Sequence, residues 1–203
     1  MWQRNSLLSL NKRKNKYKGD LDLEKVTSCK ATVLLVVIWF AVYVLSKAAS
    51  IDAILCSKGI NNIGNQYWRF LTAGFVQNNM IHVFGNIYLI IWLGTRYENI
   101  IGSSRFFILG FVGSAIAYFV FCFIYKNATY SVGGSGYWYA LVGYILIQQL
   151  RVPEFAIIGQ KWMLIYAFVL LPVIPIIPGM NMSTAVFHSI AFVTGVALGF
   201  MQV

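Results

Sequence analysis

Long apolar runs, separated by short polar connections, occupy most of the chain after residue 30. A helix needs about 20 mostly apolar residues to cross the hydrocarbon core of a bilayer, and six runs approach that length. The pattern therefore predicts an all-α membrane protein, a bundle of six transmembrane helices. The predicted spans are residues 31–46, 80–95, 106–125, 135–150, 162–177 and 185–201.

The amino-acid composition agrees with this pattern. Of the 203 residues, 59% are hydrophobic and 11% are charged, whereas soluble globular domains carry about 25% charged residues. This argues against a soluble core. We divide the chain into a basic tail, residues 1–30, and one six-helix transmembrane domain, residues 31–203.

The basic residues are unevenly placed, and their placement predicts an orientation. The net charge is +10, and eight of the 16 Lys and Arg residues lie in the first 30 positions. Six spans put both termini on one side, which then holds twelve basic residues against four on the other. Because basic residues favour the cytoplasmic side, we predict cytoplasmic termini in a multi-pass protein of the cell membrane. The tail is interpreted as a topology signal that touches anionic lipid, not as a nucleic-acid site.

Both histidines of the chain fall inside predicted spans, where ionisable residues are costly and mark functional sites by default. His82 opens the second span, and Asn86 follows four residues later on the same helical face. His188 lies near the start of the sixth span. Taken singly, either histidine is explained equally well by a hydrogen bond between packed helices.

The fourth span opens with a glycine-rich motif, Gly133-Gly134-Ser135-Gly136. Glycines beside a serine let the backbone turn sharply and let other chains approach closely. A serine at a helix start is also a common N-cap, which accepts a hydrogen bond from the first turn. In isolation the N-cap is the better interpretation, so the motif needs a partner before it indicates a nucleophile.

The predicted topology supplies that partner. The second, fourth and sixth spans run in the same direction, so residues near their beginnings share a depth on the outer side. Small residues at helical spacing let membrane helices pack closely, and the fourth and sixth spans carry them at Gly136, Ala140, Gly143, Ala191, Gly195 and Gly199. We expect this packing to bring Ser135 and His188 within reach of each other.

These residues suit nucleophilic catalysis. A serine hydroxyl needs an adjacent base to react at neutral pH, and His188 is the candidate. The oxyanion formed on attack needs fixed donors, which the Asn86 amide, the His82 ring and the Ser135 backbone N–H can supply. No carboxylate lies near them in the predicted membrane core, so we expect a dyad. The three cysteines lack metal-ligand spacing, and we expect neither a metal nor a cofactor.

Four motifs in order resemble those of the rhomboid intramembrane serine proteases, in their minimal six-helix form. The likeness runs from about residue 68 to residue 199. Trp68-Arg69 resembles the family's first-loop element. The other three are the HxxxN of the second helix at His82 and Asn86, the GxSG at 133–136, and the sixth-helix histidine at His188 with its glycine stripe.

The resemblance implies a function and a site. It implies an endopeptidase with a Ser135–His188 dyad, an oxyanion site lined by His82 and Asn86, and Tyr139 packed against His188. Its partners would be transmembrane protein substrates in the lipid bilayer, with no nucleic acid, metal or cofactor. The active site would face the extracytoplasmic side.

The resemblance also covers a carboxylate and includes departures. Glu98 matches a carboxylate that the family places after the second helix, where we expect a structural role. Ala73 and Gln77 stand ahead of the HxxxN element, where many members have another histidine. Ala191 stands where a glycine is common, three residues after His188.

Two other functions are considered. A rhomboid-like pseudoprotease would bind membrane helices without cleaving them, and the presence of both Ser135 and His188 argues against it. A small multi-pass transporter would use the histidines in a proton path and would be favoured by intramembrane carboxylates or inverted repeats, neither of which the sequence shows. Substrate identity and oligomeric state stay open.

A single cysteine tests the predicted orientation. In a background without the native cysteines, a cysteine replacing Asn62 in the first loop should react with an impermeant thiol reagent added outside intact cells. Cysteines in the basic tail should react only after permeabilisation. The reverse labelling pattern would mean that the orientation is inverted.

Overall fold

The structure is a computed structural model of the chain, and it describes residues 26–152, 155 and 182–201. The predicted fifth span and most of the basic tail lie outside the described residues. The helices are α1 (Lys30–Ala49), α2 (Asp52–Leu55), α3 (Ile60–Ile63), α4 (Arg69–Thr72), a 3-10 turn (Ala73–Phe75), α5 (Met80–Ile101), α6 (Ser103–Ile124), α7 (Ser135–Arg151) and α8 (Met182–Met201).

The described part of the chain is an all-helical membrane bundle. Within it, α1, α6 and α8 are long and apolar enough to cross a membrane. The predicted second and fourth spans form α5 and α7, which do not meet that test. Helix α7 has only 17 residues, and 14 of them are buried, whereas α1 buries five of 20. A helix enclosed by protein does not face lipid, so it can be short and can carry polar side chains.

Helix α7 packs most closely against α8. A Cβ added to Gly195 would lie 1.8 Å from the carbonyl oxygen of Ala140, and one added to Gly143 would lie 2.2 Å from that of Phe192. The two backbones therefore touch where the small residues occur. The predicted close packing of the fourth and sixth spans is confirmed.

Glu98 caps the N-terminus of α1. Helix α5 continues beyond the predicted end of the second span, and Glu98 is fully buried. Its carboxylate accepts hydrogen bonds from the backbone N–H groups of Ala31 (2.8 Å) and Thr32 (2.9 Å) and from the hydroxyls of Thr32 and Ser103 (both 2.6 Å). The first N–H groups of a helix lack intrahelical acceptors and carry the positive end of its dipole. One buried carboxylate thus satisfies several orphan donors.

The connection between α1 and α5 contains three short helices, α2, α3 and α4. Arg69 organises it: the buried guanidinium donates to the carbonyl oxygens of Ala53 and Cys56 at 2.9 Å and to Gln66 Oε1 at 2.6 Å. Burial raises the pKa of the Cys56 thiol in spite of the nearby Arg69. The Cys56 thiol is therefore protonated at neutral pH. A bridge between Ser57 and Ser131 ties this connection to the segment before α7.

Replacing Gly195 by Leu should separate α7 from α8. The new side chain cannot fit against the Ala140 carbonyl, and overpacking of this kind costs about 1–3 kcal/mol or more. We expect a lower unfolding temperature in detergent. Gly85→Leu is the matched control, because a Cβ at this helical glycine meets nothing within 4 Å. Equal unfolding temperatures for the two variants would contradict the close contact.

Candidate active site

Ser135 and His188 form the centre of the site. Ser135 is the first residue of α7, and its Oγ lies 2.8 Å from Nε2 of His188 on α8. Both side chains are buried, with 6% and 4% of their surface exposed. The serine and the histidine therefore share a hydrogen bond inside the bundle, between the two helices that pack most closely.

The glycines around Ser135 are required by their surroundings. Gly133 has a φ of +145°, which L side chains rarely adopt, and a Cβ there would lie 2.8 Å from the His82 ring. A Cβ on Gly134 would lie 2.6 Å from the Trp39 ring, and one on Gly136 would lie 2.8 Å from Phe187. A side chain at any of these three positions would therefore collide with a neighbouring ring.

A tyrosine stacks on the candidate base. The Tyr139 ring lies 4.2 Å from the His188 ring between centroids, with 23° between the planes. This is the contact that the resemblance implied. His188 Nδ1 is buried and has no hydrogen-bond partner among the residues that the structure describes. Within that part of the chain, no carboxylate completes a triad.

The His82 ring lies next to Gly133 of the glycine segment. Asn79 caps α5 by accepting a hydrogen bond from the His82 backbone N–H at 2.9 Å. The backbone N–H of Asn78 donates weakly, at 3.4 Å, to His82 Nδ1. A neutral imidazole that accepts at one nitrogen carries its proton on the other. The arrangement favours a donor at His82 Nε2, the ring atom near Gly133.

Asn86 is buried one turn further along α5. Its Oδ1 accepts a hydrogen bond from Trp138 Nε1 at 2.9 Å, and its Nδ2 donates to Gln77 Oε1 at 2.7 Å. The amide is therefore held by two other buried side chains.

Sequence reasoning missed three residues that organise the site, Trp138, Gln77 and Tyr118. The Tyr118 hydroxyl donates to the carbonyl oxygen of Gly133 at 3.0 Å, and the Gly133 N–H donates to the Ala73 carbonyl at 3.2 Å. Gln77 was noted only as a departure from the resembled pattern. Trp138 and Tyr118 carry no signal, because aromatic residues are common throughout the spans of this chain.

The family of the chain follows from a match that covers most of it. Residues 64–203 match the Rhomboid domain. The chain belongs to the Rhomboid family. One relative of this rhomboid is the Rhomboid protease GlpG of Pectobacterium atrosepticum, which is 22% identical over 125 residues, 61% of this chain and 45% of that protein. The chain thus spans less than half the length of that relative.

The matched domain contains the whole candidate site. His82, Asn86, Ser135 and His188 all lie between residues 64 and 203, whereas α1 precedes the match. This rhomboid is a multi-pass membrane protein of a family of intramembrane serine proteases.

Proposed function

We propose that this rhomboid hydrolyses peptide bonds in the transmembrane segments of other membrane proteins, with Ser135 as nucleophile and His188 as base. The observation that carries the proposal is the 2.8 Å distance between Ser135 Oγ and His188 Nε2. A base at hydrogen-bond distance is what a serine needs to become a nucleophile. The burial of the pair suits substrates that arrive within the membrane.

The proposed reaction follows from this geometry. Ser135 Oγ attacks the scissile carbonyl carbon while His188 Nε2, unprotonated in the Nδ1–H tautomer, takes the hydroxyl proton. The C–N bond then breaks as His188 returns the proton to the leaving nitrogen, which leaves an acyl-enzyme on Ser135. Water, deprotonated by His188, hydrolyses this ester. Every step is nucleophilic or acid–base chemistry, so none calls for a metal or a cofactor.

The oxyanion is stabilised by the groups around the glycine segment. Ser135 N–H is at the start of α7, where the first amides have no intrahelical acceptor and the helix dipole favours negative charge. The Asn86 amide and the His82 ring add donors from α5. Donors fixed in place before reaction stabilise charge that develops in the transition state.

We infer six spans with cytoplasmic termini and an active site near the extracytoplasmic side. The bridge between Ser57 and Ser131 puts the α1–α5 connection and the α6–α7 connection at one end of the bundle. Ser135 begins α7 at that end. The distribution of basic residues in the sequence supports assigning it to the outside.

A fluorophosphonate probe tests the nucleophile in purified, detergent-solubilised protein. Wild type should be labelled at Ser135, and Ser135→Ala and His188→Ala should lose both labelling and cleavage, with a fall in kcat on the order of 10⁴–10⁶-fold. Ser189→Ala is the matched control, because this α8 serine is exposed and its hydroxyl donates to the Ala185 carbonyl of its own helix. Cleavage by the Ser135→Ala variant at the wild-type rate would contradict the mechanism. Folded wild-type protein without labelling or cleavage would favour a pseudoprotease.

The burial of Ser135 also predicts which substrates are cut. A regular helix keeps its carbonyl groups in hydrogen bonds, so the scissile segment must unwind before attack. We expect single-pass substrates with Gly or Pro near the outer end of their span and a small residue at the cut. Replacing these residues by Leu should slow cleavage, whereas the same change near the inner end should not. Equal cleavage of a uniform poly-Leu span would contradict this.

A further inference from the structure

Three buried side chains form a directed chain of hydrogen bonds beside Ser135. Trp138 Nε1 donates to Asn86 Oδ1 at 2.9 Å, and Asn86 Nδ2 donates to Gln77 Oε1 at 2.7 Å. The exposed fractions are 5% for Trp138, 3% for Asn86 and 2% for Gln77. Each residue comes from a different segment: Trp138 from α7, Asn86 from α5, and Gln77 from the stretch between the 3-10 turn and α5.

Trp138 fixes the direction of this series of hydrogen bonds. An indole nitrogen only donates, so the Asn86 oxygen must face Trp138. The Asn86 nitrogen then faces Gln77, which must present its own oxygen. Turning either amide around would set two donors or two acceptors against each other. Trp138 therefore determines the orientation of Asn86 and, through it, that of Gln77.

Gln77 keeps this orientation although it leaves its own nitrogen without a partner. Gln77 Nε2 is buried and has no hydrogen-bond partner within the described part of the chain. A Cβ on Gly134 would lie 2.7 Å from this nitrogen, so Gln77 borders the residue that immediately precedes Ser135. An orphan buried donor is costly and rare. The hydrogen bond between Gln77 and Asn86 is thus kept at the cost of an unpaired Gln77 nitrogen.

We propose that Gln77 and Trp138 are positioning residues that hold the Asn86 amide for the oxyanion. Gln77 takes one of the two Nδ2 hydrogens, which fixes the plane of the amide and the direction of the second hydrogen. The Trp138 N–H polarises the same amide and strengthens it as a donor. This inference rests on the proposed protease function.

A double-mutant cycle on kcat tests this role in the full-length protein. Gln77→Leu removes the acceptor at similar volume and should lower kcat by about 10–100-fold, less than the 10²–10³-fold expected for removing the Asn86 donor itself by Asn86→Ala. KM should stay within about twofold, because the loss falls on the transition state. If Gln77 acts through Asn86, the double variant should be no slower than Asn86→Ala alone.

A transition-state analogue gives a second readout. A peptide aldehyde forms a hemiacetal with a catalytic serine, and its oxygen takes the position of the oxyanion. We expect the inhibition constant of the aldehyde to rise in Gln77→Leu while the KM of the matched peptide is unchanged. Gln148→Leu is the control for loss of a buried glutamine: Gln148 donates to the Gly199 carbonyl at the other end of α7, so this change should lower the unfolding temperature but spare kcat.

Trp138→Phe provides an independent variant, because it keeps a ring in place and removes only the indole N–H. It is measured in the same cycle with Asn86→Ala, and it carries the test if Gln77→Leu does not fold. Unchanged kcat in the folded Gln77 or Trp138 variant, or losses that multiply with Asn86→Ala, would overturn the positioning role. Wild type without Ser135-dependent cleavage would instead remove the protease function on which that role rests.

Discussion

The rest of the site depends on the contact between the backbones of α7 and α8. Gly195 lies against the Ala140 carbonyl with no room for a side chain, and His188 lies two turns before Gly195 on the same face of α8. A hydrogen bond requires about 2.7–3.2 Å between its heavy atoms. Any larger residue at the contact would move His188 out of reach of Ser135. The small residues thus set the distance on which the proposed chemistry relies.

The buried polar groups of this rhomboid differ in how fully they are hydrogen-bonded. The Glu98 carboxylate accepts hydrogen bonds from several donors, and the Arg69 guanidinium donates to two carbonyl oxygens. At the candidate site, His188 Nδ1 and Gln77 Nε2 are buried without partners among the described residues. Interiors normally pair such atoms because unpaired ones cost free energy. Two of the buried polar atoms without a partner thus lie at the candidate site, and the hydroxyls of Ser46 and Ser114 are others.

Much of this arrangement could be predicted from the sequence, because it depends on local spacing. Apolar runs predicted the long helices that the structure describes, and small residues predicted the contact that brings Ser135 to His188. Asn86, four residues from His82, shares a helical face by simple periodicity. The catalytic roles of these residues stay predictions. What spacing cannot give is the direction of a side chain on a packed helix, so the pairing of Asn86 with Trp138 was not predicted.

The short helices between α1 and α5 were not predicted, for another reason. Helices of four residues are too short to be stable alone, and those of this segment depend on tertiary bonds such as those of Arg69. Likewise, α7 is short for a membrane-crossing helix, and 14 of its 17 residues are enclosed by protein. In both cases the deciding information lies far away along the chain.

The cap that Glu98 places on α1 has a consequence for biosynthesis. Its acceptor oxygen lies 67 residues after the Ala31 N–H that it binds, so the first turn of α1 waits for a residue that has not yet been translated. At about 5–20 residues per second, the delay is on the order of 3–13 s. During that time the N–H groups of the first turn must donate their hydrogen bonds to water at the membrane surface. The first turn of α1 is thus completed only after the end of α5 has been synthesised, although the rest of α1 is translated long before.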